Sequence, residues 1–279
     1  MRTFFIVSGF LGLLTTTSPV TAGPYAPAAG QPGSTAIAAD SPAFVGWASS
    51  VASLVRGPID AADPGGELAS FGVASNALGP ADATISTPGP IVSLGDGGHI
   101  TLSFDAPIVD GPGFDFAVFE NGFGDEFLEL AFVEVSTNGI DFARFASVSL
   151  TQTATQIGSF GTIDTTNLDN LAGKYRVGFG TPFDLSALAG VSPHVDVNDV
   201  RFVRLIDVVG SLDPTLGTQD SLGNAINDPY PTAFSSGGFD LDAVGVIHSV
   251  PEPASWCLWA LGSAALVWRC RCRRRRPKR

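Results

Sequence analysis

The sequence predicts a mainly β protein, a β-sandwich of jelly-roll type with one short N-terminal helix. Three observations predict this fold class. The body contains many short apolar runs separated by Gly-rich and Pro-rich turns, it shows helical periodicity in only one place, and its length of about 228 residues suits a single all-β domain. The two ends of the chain differ from this body in composition, and each predicts an additional targeting helix.

The first 22 residues have the pattern of a secretory signal peptide. Arg2 precedes the apolar run FFIVSGFLGLL at 4–14, and the small residues Val20, Thr21 and Ala22 follow. Eleven apolar residues cover about 16 Å as a helix, about half of a hydrocarbon core roughly 30 Å thick. The pattern therefore favours export, with cleavage by signal peptidase after Ala22, over a membrane anchor or an amphipathic first helix.

The last part of the chain, 250–279, combines a proline motif, an apolar segment and a basic tail. These are Pro251, Glu252 and Pro253, then 254–268, then 269–279, which holds eight of the 15 Lys and Arg residues. The apolar segment spans about 22 Å as a helix, so it can insert into a membrane but barely crosses it. Positive charge after it would stay on the cytoplasmic face. A nucleic-acid-binding arm would not explain the apolar segment, so we expect a precursor anchored in the inner membrane.

This order of elements resembles the PEP-CTERM sorting signal of exported bacterial proteins. The resemblance implies a temporary anchor that a transpeptidase of the exosortase type cuts near the Pro-Glu-Pro motif. It also implies a mature protein at the cell surface or in the extracellular matrix, in the company of exopolysaccharide. The prolines beside Glu252 keep the segment extended and accessible to such an enzyme. All three cysteines lie in this tail, at 257, 270 and 272, so the exported body holds no disulfide.

The start of the body divides into a leader and a helix. Residues 23–42 are rich in Ala, Pro and Gly and predict a flexible leader ahead of the β-sandwich domain at 43–249. At 43–57 the apolar residues recur at helical spacing, which predicts one amphipathic helix ending at Gly57. Those apolar residues are Phe44, Trp47, Val51, Leu54 and Val55.

The remaining segments predict strands in close succession. HITLSF alternates apolar and polar residues, and FLELAFVEV is apolar on both faces, as expected for a buried strand. The sequence Asn138-Gly139 predicts a hairpin turn after it. In chain order, the predicted strands are 99–104, 114–120, 127–135, 142–150, 175–179, 200–209 and 241–247.

The charge of the body limits the classes of partner. Residues 23–250 contain six Lys or Arg and 26 Asp or Glu, a net charge of −20 that excludes nucleic acid. Two explanations stay open: an acidic surface that keeps the protein soluble, or carboxylates neutralised by bound cations. Glu129 and Glu134 interrupt an apolar strand, and each must be paired, coordinated or placed at a rim. The arginines of the later strands, at 144, 201 and 204, are candidate partners.

Two acidic loops predict a calcium site. Carboxylate and amide oxygens on turns are the ligands that Ca²⁺ accepts in irregular geometry. The candidate ligands are Glu120 and Asn121 in the first loop, and Asp220, Asn224, Asp228, Asp240 and Asp242 in and after the second. Asp240 and Asp242 are the favoured pair, because alternation in a strand places both on one face. The order of an EF-hand is not met, so acidic turns that only cap strands remain the alternative.

The body lacks known catalytic signatures, which predicts a non-enzymatic protein. The motifs HExxH, GxSxG, GxGxxG and the P-loop are absent from the sequence. One alternative is a carbohydrate-binding module, with Tyr230 as its aromatic platform. The other is a polysaccharide hydrolase or lyase using paired carboxylates among Glu120, Glu129 and Glu134. Glu129 and Glu134 would point to opposite faces of a regular strand, which excludes that pair.

The body itself also resembles known sequences. GGHITLSFDAPIVDGPGFDFAVFENGF, FLELAFVEVSTNGIDFARF and SGGFDLDAVGV resemble segments of uncharacterised bacterial cell-surface proteins. By analogy these proteins are similar to galactose-binding-like β-sandwiches, in which loops at one end bind sugars and a calcium ion braces the fold. The resemblance implies a fold and no activity.

Overall fold

The protein is mainly β, as the sequence predicts. The computed structural model describes residues 22–85 and 89–250, and within them it has thirteen strands and three short 3₁₀ helices. The strands are β1 (Ile37–Ala38), β2 (Gly46–Trp47), β3 (Ser50–Val55), β4 (Val92–Ser93), β5 (His99–Ile108), β6 (Phe116–Glu120), β7 (Ala131–Ser136), β8 (Ala143–Arg144), β9 (Val148–Ser149), β10 (Leu168–Asp169), β11 (Phe179–Phe183), β12 (Val200–Asp207) and β13 (Asp240–Val246). The 3₁₀ helices are Ala74–Ala77, Thr165–Asn167 and Leu185–Leu188.

Antiparallel sheets make up the body. One sheet has the order β1-β11-β6-β13-β2, with β4 also paired to β13, and the other has the order β3-β5-β12-β7-β8. A separate two-stranded sheet joins β9 and β10. The long strands β6 and β13 are central in the first sheet, and β5, β12 and β7 are central in the second.

Both large sheets contribute to one hydrophobic core. Phe116 of β6 and Val244 of β13 belong to the same buried cluster as Leu102 of β5, Val133 of β7 and Val203 of β12. This core covers one face of β6 and β13, and a second cluster that includes Phe119 and Trp47 covers the other, so both strands are buried along their whole length. The jelly-roll and galactose-binding-like details of the fold remain predictions.

The helix predicted at 43–57 is wrong, because this stretch forms β2 and β3. A β-bulge between Val51 and Ser53 explains the misleading pattern. The bulge breaks the two-residue alternation of β3, so its two partly buried side chains, Val51 and Leu54, are three positions apart, as on a helix. Trp47 packs with Phe44 and Phe119, at 4.9 and 5.6 Å between ring centroids.

The predicted flexible leader, 23–42, lies along the body instead of projecting from it. Its β1 pairs with β11, and the Thr35 hydroxyl is 2.8 Å from the Tyr175 hydroxyl. Closer to its start, the Tyr25 N–H donates to the carbonyl of Thr166 at 3.1 Å. Long-range hydrogen bonds therefore order a segment whose composition alone predicts flexibility.

Several predicted strands are shorter than their apolar runs. The run at 127–135 forms a strand only from Ala131, because the Leu130 N–H donates to the Asp228 carboxylate at 2.8 Å. The run at 142–150 divides into β8 and β9, and the strand predicted at 175–179 begins where its run ends, at Phe179. The hairpin turn between β7 and β8 is confirmed, with Gly139 at φ 74°.

The targeting segments lie mostly outside the described residues. This applies to the signal peptide up to residue 21, to the motif Pro251, Glu252 and Pro253, and to the predicted membrane helix at 254–268. Within the described part of the chain, no helix combines the length and apolar character needed to cross a membrane.

Candidate metal centre

Buried carboxylates gather where the central strands end or begin. Because β13 runs antiparallel to β6 and pairs Leu241 with Glu120, the first residue of β13 lies near the last residue of β6. Loops before β7 and before β13 bring further acids to this region. We call this group the carboxylate cluster; it comprises Glu120, Glu129 and Asp240, surrounded by Asp96, Asp207 and Asp228.

Glu120 is the most deeply buried member of the carboxylate cluster. The residue is 1% exposed, and its Oε2 accepts a hydrogen bond from the Gly122 N–H at 2.7 Å. Its Oε1 is buried without any hydrogen-bond partner. Burial, and then the charge of Asp240, raise the pKa of Glu120 well above its usual value. A buried oxygen of this kind costs folding free energy unless another group satisfies it.

Asp240 is held by two neutral donors. It accepts hydrogen bonds from the hydroxyl of Ser93, its cross-strand neighbour on β4, and from the side chain of Asn121. Burial raises the pKa of Asp240 to about 7 despite these bonds. The buried Asn121 therefore lies between Glu120, its chain neighbour, and Asp240.

Arg56 is the cation that acts on Asp240, and it does so without a salt bridge. Its guanidinium donates to the carbonyls of Phe71, Ser93 and Gly72 at 2.9, 2.5 and 2.7 Å. Its charge lowers the pKa of Asp240 only as the last of several influences. Arg56 therefore acts mainly as a hydrogen-bond donor to backbone carbonyls.

Glu129 adds a third carboxylate to the centre of the cluster. Among the described residues, no hydrogen bond or salt bridge reaches its carboxylate. The residue is partly exposed, yet burial of the group, followed by the charges of Asp240 and Glu120, raises its pKa well above the usual value. Three carboxylates therefore influence one another in a region that has little positive charge.

The outer carboxylates bind backbone N–H groups and fix the surrounding loops. Asp207 accepts from Gly97 at 2.9 Å and from Phe239 at 2.6 Å. Asp228 accepts from Leu130 at 2.8 Å, and Asp96 accepts from Ala61 at 2.6 Å. Burial is the main cause that raises the pKa of each of these three groups. They position the cluster, and each already binds at least one donor of the protein.

The donor set of the carboxylate cluster fits a hard cation. Glu120, Glu129, Asp240 and Asn121 offer only oxygen ligands, which suit Ca²⁺ rather than zinc or copper. In the described part of the chain, three acidic ligand atoms come within 4.8 Å of one another only at another place, Asp110, Asp115 and Asp184. A cation at the cluster would therefore also need neutral oxygens, from Asn121, from carbonyls or from water, as Ca²⁺ commonly takes.

Two members of the triad Asp110, Asp115 and Asp184 already bind groups of the protein. Asp115 is fully buried and accepts from the N–H groups of Gly111 and Leu185, each at 2.7 Å. It also lies 2.8 Å from Nδ1 of His248. Asp184 caps the third 3₁₀ helix. These contacts give Asp115 and Asp184 a structural role, whereas no hydrogen bond within the described residues reaches the carboxylate of Asp110.

Asp220 and Asn224 use their polar atoms to close their own loop. Asp220 accepts from the N–H groups of Ser149, Leu222 and Asn224, and from the amide side chain of Asn224, at 2.8 to 3.0 Å. Although burial acts to raise it, these hydrogen bonds lower the pKa of Asp220. Asp220 and Asn224, predicted as metal ligands, thus form a capped turn.

The favoured pair, Asp240 and Asp242, contacts different segments. Asp242 accepts from the N–H groups of Asp82 and Ala83 at 3.4 and 3.3 Å, and burial raises its pKa to about 6. A register shift between Leu241 and Ala243 interrupts the alternation on which the prediction rested. Only Asp240 of this pair acts on Glu120 and Glu129.

Tyr230, the predicted aromatic platform, is only 9% exposed. Its hydroxyl donates to Asp60 at 3.0 Å, and burial raises its pKa to about 12. This position leaves little of the ring for a sugar to contact.

Sequence reasoning did not place Glu129, Asp207 or Asp96 in a metal site. Glu129 is recognisable in the sequence as an acid within an apolar run, but the sequence offers the arginines of the later strands as its partners equally well. Asp207 and Asp96 join the cluster through sheet pairing and loop contacts, which the sequence does not reveal.

Comparison with known proteins identifies the tail. A family model described as the PEP-CTERM protein-sorting motif matches residues 249–275. The comparison with curated proteins found no match. The chain thus carries the sorting motif that its tail resembles, which marks an exported protein sorted to the cell surface and implies processing by exosortase.

Proposed function

We propose that this protein is a non-enzymatic component of the cell envelope or extracellular matrix, with an acidic β-sandwich body that calcium stabilises. The sorting motif supports delivery to the surface. One observation carries the calcium part of the proposal: Glu120 Oε1 is buried, lacks a hydrogen-bond partner and belongs to the carboxylate cluster.

The basic residues of the body leave the centre of the cluster without a salt bridge. Arg144 and Arg204 both bind Glu134, and Arg176 binds Asp125. Arg201 binds Asp199, and Lys174 donates to the carbonyl of Leu168. Neutralisation of Glu120 and Glu129 must therefore come from protons or from a bound cation.

Under extracellular conditions, a bound cation would replace the protons that otherwise neutralise Glu120 and Glu129. Calcium sites of extracellular modules typically have dissociation constants of about 10⁻⁴ to 10⁻³ M. The candidate ligands are Glu120, Glu129, Asp240 and Asn121. As these side chains stand, no more than two of the three carboxylates lie close enough together for one ion, so neutral oxygens would complete its coordination. Because they come from the end of β6, the loop before β7 and the start of β13, bound calcium would fasten these three segments together and stabilise the folded state.

Calorimetric titration of the mature chain, residues 23–250, with calcium tests this site. We expect binding by the wild-type chain and no measurable binding by Glu120→Gln. Asp105→Asn is the matched control, because Asp105 is an exposed carboxylate outside the cluster. Equal affinities in all three proteins, or no binding at all, would contradict the proposed site.

Pulse-chase labelling of the full chain in cells that contain the processing enzyme tests export and sorting. With a tag in the body, two successive cleavages should be seen, one of the signal peptide and one near Pro251–Pro253. A tail that remains attached in such cells would contradict the proposed processing.

A carbohydrate-binding role is the second candidate, favoured by a row of aromatic side chains. Phe123, Phe127, Phe160 and Phe234 follow one another with ring centroids 5.8, 6.1 and 5.6 Å apart. Phe123 is 54%, Phe160 75% and Phe234 45% exposed, and exposed apolar groups of this kind mark interaction sites.

Binding to polysaccharides on an array tests this second role. Phe160→Ala should reduce binding, whereas Ile140→Ala should not, because Ile140 is a hydrophobic residue, 82% exposed, outside the row. Silence of the wild-type chain across the array would remove the carbohydrate role and leave the calcium site untouched.

A further inference from the structure

We infer that the body holds a docking site for its own new amino terminus, the α-amino group that cleavage after Ala22 creates on Gly23. The site consists of Thr166 and Asn167 in the second 3₁₀ helix, with Asp164 behind Thr166. The inference rests on the export that we propose, since signal cleavage supplies the occupant.

The nitrogen of Gly23 already points at this site. It donates to Oγ1 of Thr166 at 2.6 Å, and two residues later the Tyr25 N–H donates to the carbonyl of Thr166 at 3.1 Å. Gly23 and Thr166 are 143 positions apart in the chain, so the contact reflects the tertiary fold.

Only glycine fits at this position. A Cβ atom on residue 23 would overlap the carbonyl oxygen of Thr166 and Oδ1 of Asn167. These two oxygens lie where a Cβ would be, whereas Thr166 Oγ1 accepts from the nitrogen of Gly23 itself. A peptide nitrogen has one hydrogen and an ammonium group has three, so oxygen-rich surroundings of this kind suit the charged terminus better than the uncleaved chain.

The hydroxyl of Thr166 connects the terminus to a carboxylate. A hydroxyl has one hydrogen, and that of Thr166 is donated to Oδ1 of Asp164 at 2.7 Å. Its oxygen is then left to accept from Gly23. A positive charge on Gly23 strengthens both hydrogen bonds, because charge-assisted hydrogen bonds are stronger than neutral ones.

Other charged and titratable groups also face this site. Lys174, 4% exposed, donates to the carbonyl of Leu168 at 2.7 Å, and its ammonium group lies 6.0 Å from the ring centre of Tyr25. Burial lowers the pKa of Lys174 to about 8, while Asp169 and Asp164 act to raise it. Asp169 and Asp164 together carry one more negative charge than Lys174 neutralises. This excess negative charge favours a second cation, the ammonium group of Gly23.

The consequence is that removal of the signal peptide and folding of the body are linked. While the signal peptide is attached, the nitrogen of Gly23 is a neutral amide and makes one ordinary hydrogen bond. After cleavage the same atom becomes an ammonium group, and the amino-terminal segment up to β1 is held more firmly against the body.

Acetylation of the new terminus tests the inference on the mature chain, residues 23–250, beginning with Gly23. The sequence contains only one other amine in this range, the buried Lys174, so mass spectrometry can verify a single acetyl group. At pH 6.5 acetylation should lower the melting temperature by about 2–4 °C, the shift expected for one such contact in a domain of this size. In Thr166→Val acetylation should have no further effect, and in the matched control Thr165→Val the loss should persist.

Two further measurements give the inference a direct readout. By NMR, the amino group of Gly23 should titrate above the range of about 7.7–8.0 of a free terminus, and Thr166→Val should return it to that range. Sequencing of the exported protein should give Gly23 as its first residue. A melting temperature indifferent to acetylation, an equal loss in Thr166→Val, an unshifted titration or a different first residue would overturn the inference. Stabilisation by calcium does not involve Gly23, so its presence or absence reports separately on the proposed function.

Discussion

Two buried carboxylates in central strands, Glu134 of β7 and Glu120 of β6, are neutralised in different ways. Glu134 is 6% exposed and Glu120 is 1% exposed. The sheet register places Arg144 of β8 and Arg204 of β12 directly opposite Glu134. Nε of Arg144 is 2.8 Å from one carboxylate oxygen, and Nε of Arg204 is 2.7 Å from the other.

Glu120 has no such neighbours. Its cross-strand partner is Leu241, and the charged group with the largest effect on it is Asp240, which has the same sign. The comparison shows that strand register neutralises one acid within the protein and leaves the other to protons or to an external cation. Conditions in solution should therefore affect the two sites differently.

The largest expected effect is that of Glu120→Gln, and its sign should depend on calcium. With calcium about a thousandfold above its dissociation constant, the variant should lose about 4 kcal/mol of unfolding free energy, because the ion no longer stabilises the folded state. In chelator it should be as stable as the wild type or more so, because a neutral amide replaces an uncompensated acid. Urea unfolding under both conditions measures this, and an equal change in both would contradict a metal role.

Arg204→Met should destabilise the protein by about 2–3 kcal/mol, equally with calcium and with chelator. Removing one partner of a buried ion pair leaves charge uncompensated, although Arg144 remains and Arg204 is itself partly exposed. The same urea experiments provide the measurement. A loss that appears only with calcium would show that the two regions are not independent.

The dependence of stability on pH should also reverse with calcium. In chelator, the acids with raised pKa values bind protons more tightly in the folded than in the unfolded state. Their contribution to the free energy of unfolding is complete below about pH 4. It is lost as the pH rises through the pKa of each group in the folded state, which is about 7 for Asp240. In chelator, the free energy of unfolding should therefore fall by about 1–2 kcal/mol between pH 6 and pH 7.5.

With calcium present, stability should hold or increase over the same range, because deprotonation favours the metal. Thermal unfolding at a series of pH values, with and without calcium, measures both slopes. Parallel slopes would show that the cluster binds only protons.

The smallest expected change in calcium affinity is that of Asp220→Asn, within about twofold of the wild type. The carboxylate of Asp220 is occupied by hydrogen bonds within its own loop and to β9, so its loss should cost about 1 kcal/mol of stability without altering binding. Calorimetric titration tests this, and a tenfold loss of affinity would move the metal centre to the second acidic loop.

The sequence predicts the strands well where β-branched, aromatic or alternating apolar residues continue over most of the run, as for β5, β6, β12 and β13. It fails where a bulge changes the spacing, as in β3, whose Val51 and Leu54 imitate a helix. It also fails at 23–42, where hydrogen bonds to residues far along the chain supply an order that local composition lacks.

The candidate site is predictable only in part for a related reason. Glu120, Asn121 and Asp240 are recognisable as oxygen ligands on turns, and the structure brings them together. Strand register decides whether an acid lies beside an arginine or beside another acid. It places arginines opposite Glu134 and none opposite Glu120. The surroundings of Asp242 and Tyr230 are not predictable from the sequence either. A register shift in β13 changes those of Asp242, and Tyr230 is buried.

Thermal unfolding of the mature chain, residues 23–250, with calcium and with chelator tests the central claim most directly. A cation that binds only the folded carboxylate cluster should raise the melting temperature by about 10 °C at a thousandfold excess over its dissociation constant, and Glu120→Gln should abolish this rise. Identical melting temperatures in calcium and chelator, for a wild-type chain verified as folded, would contradict the account.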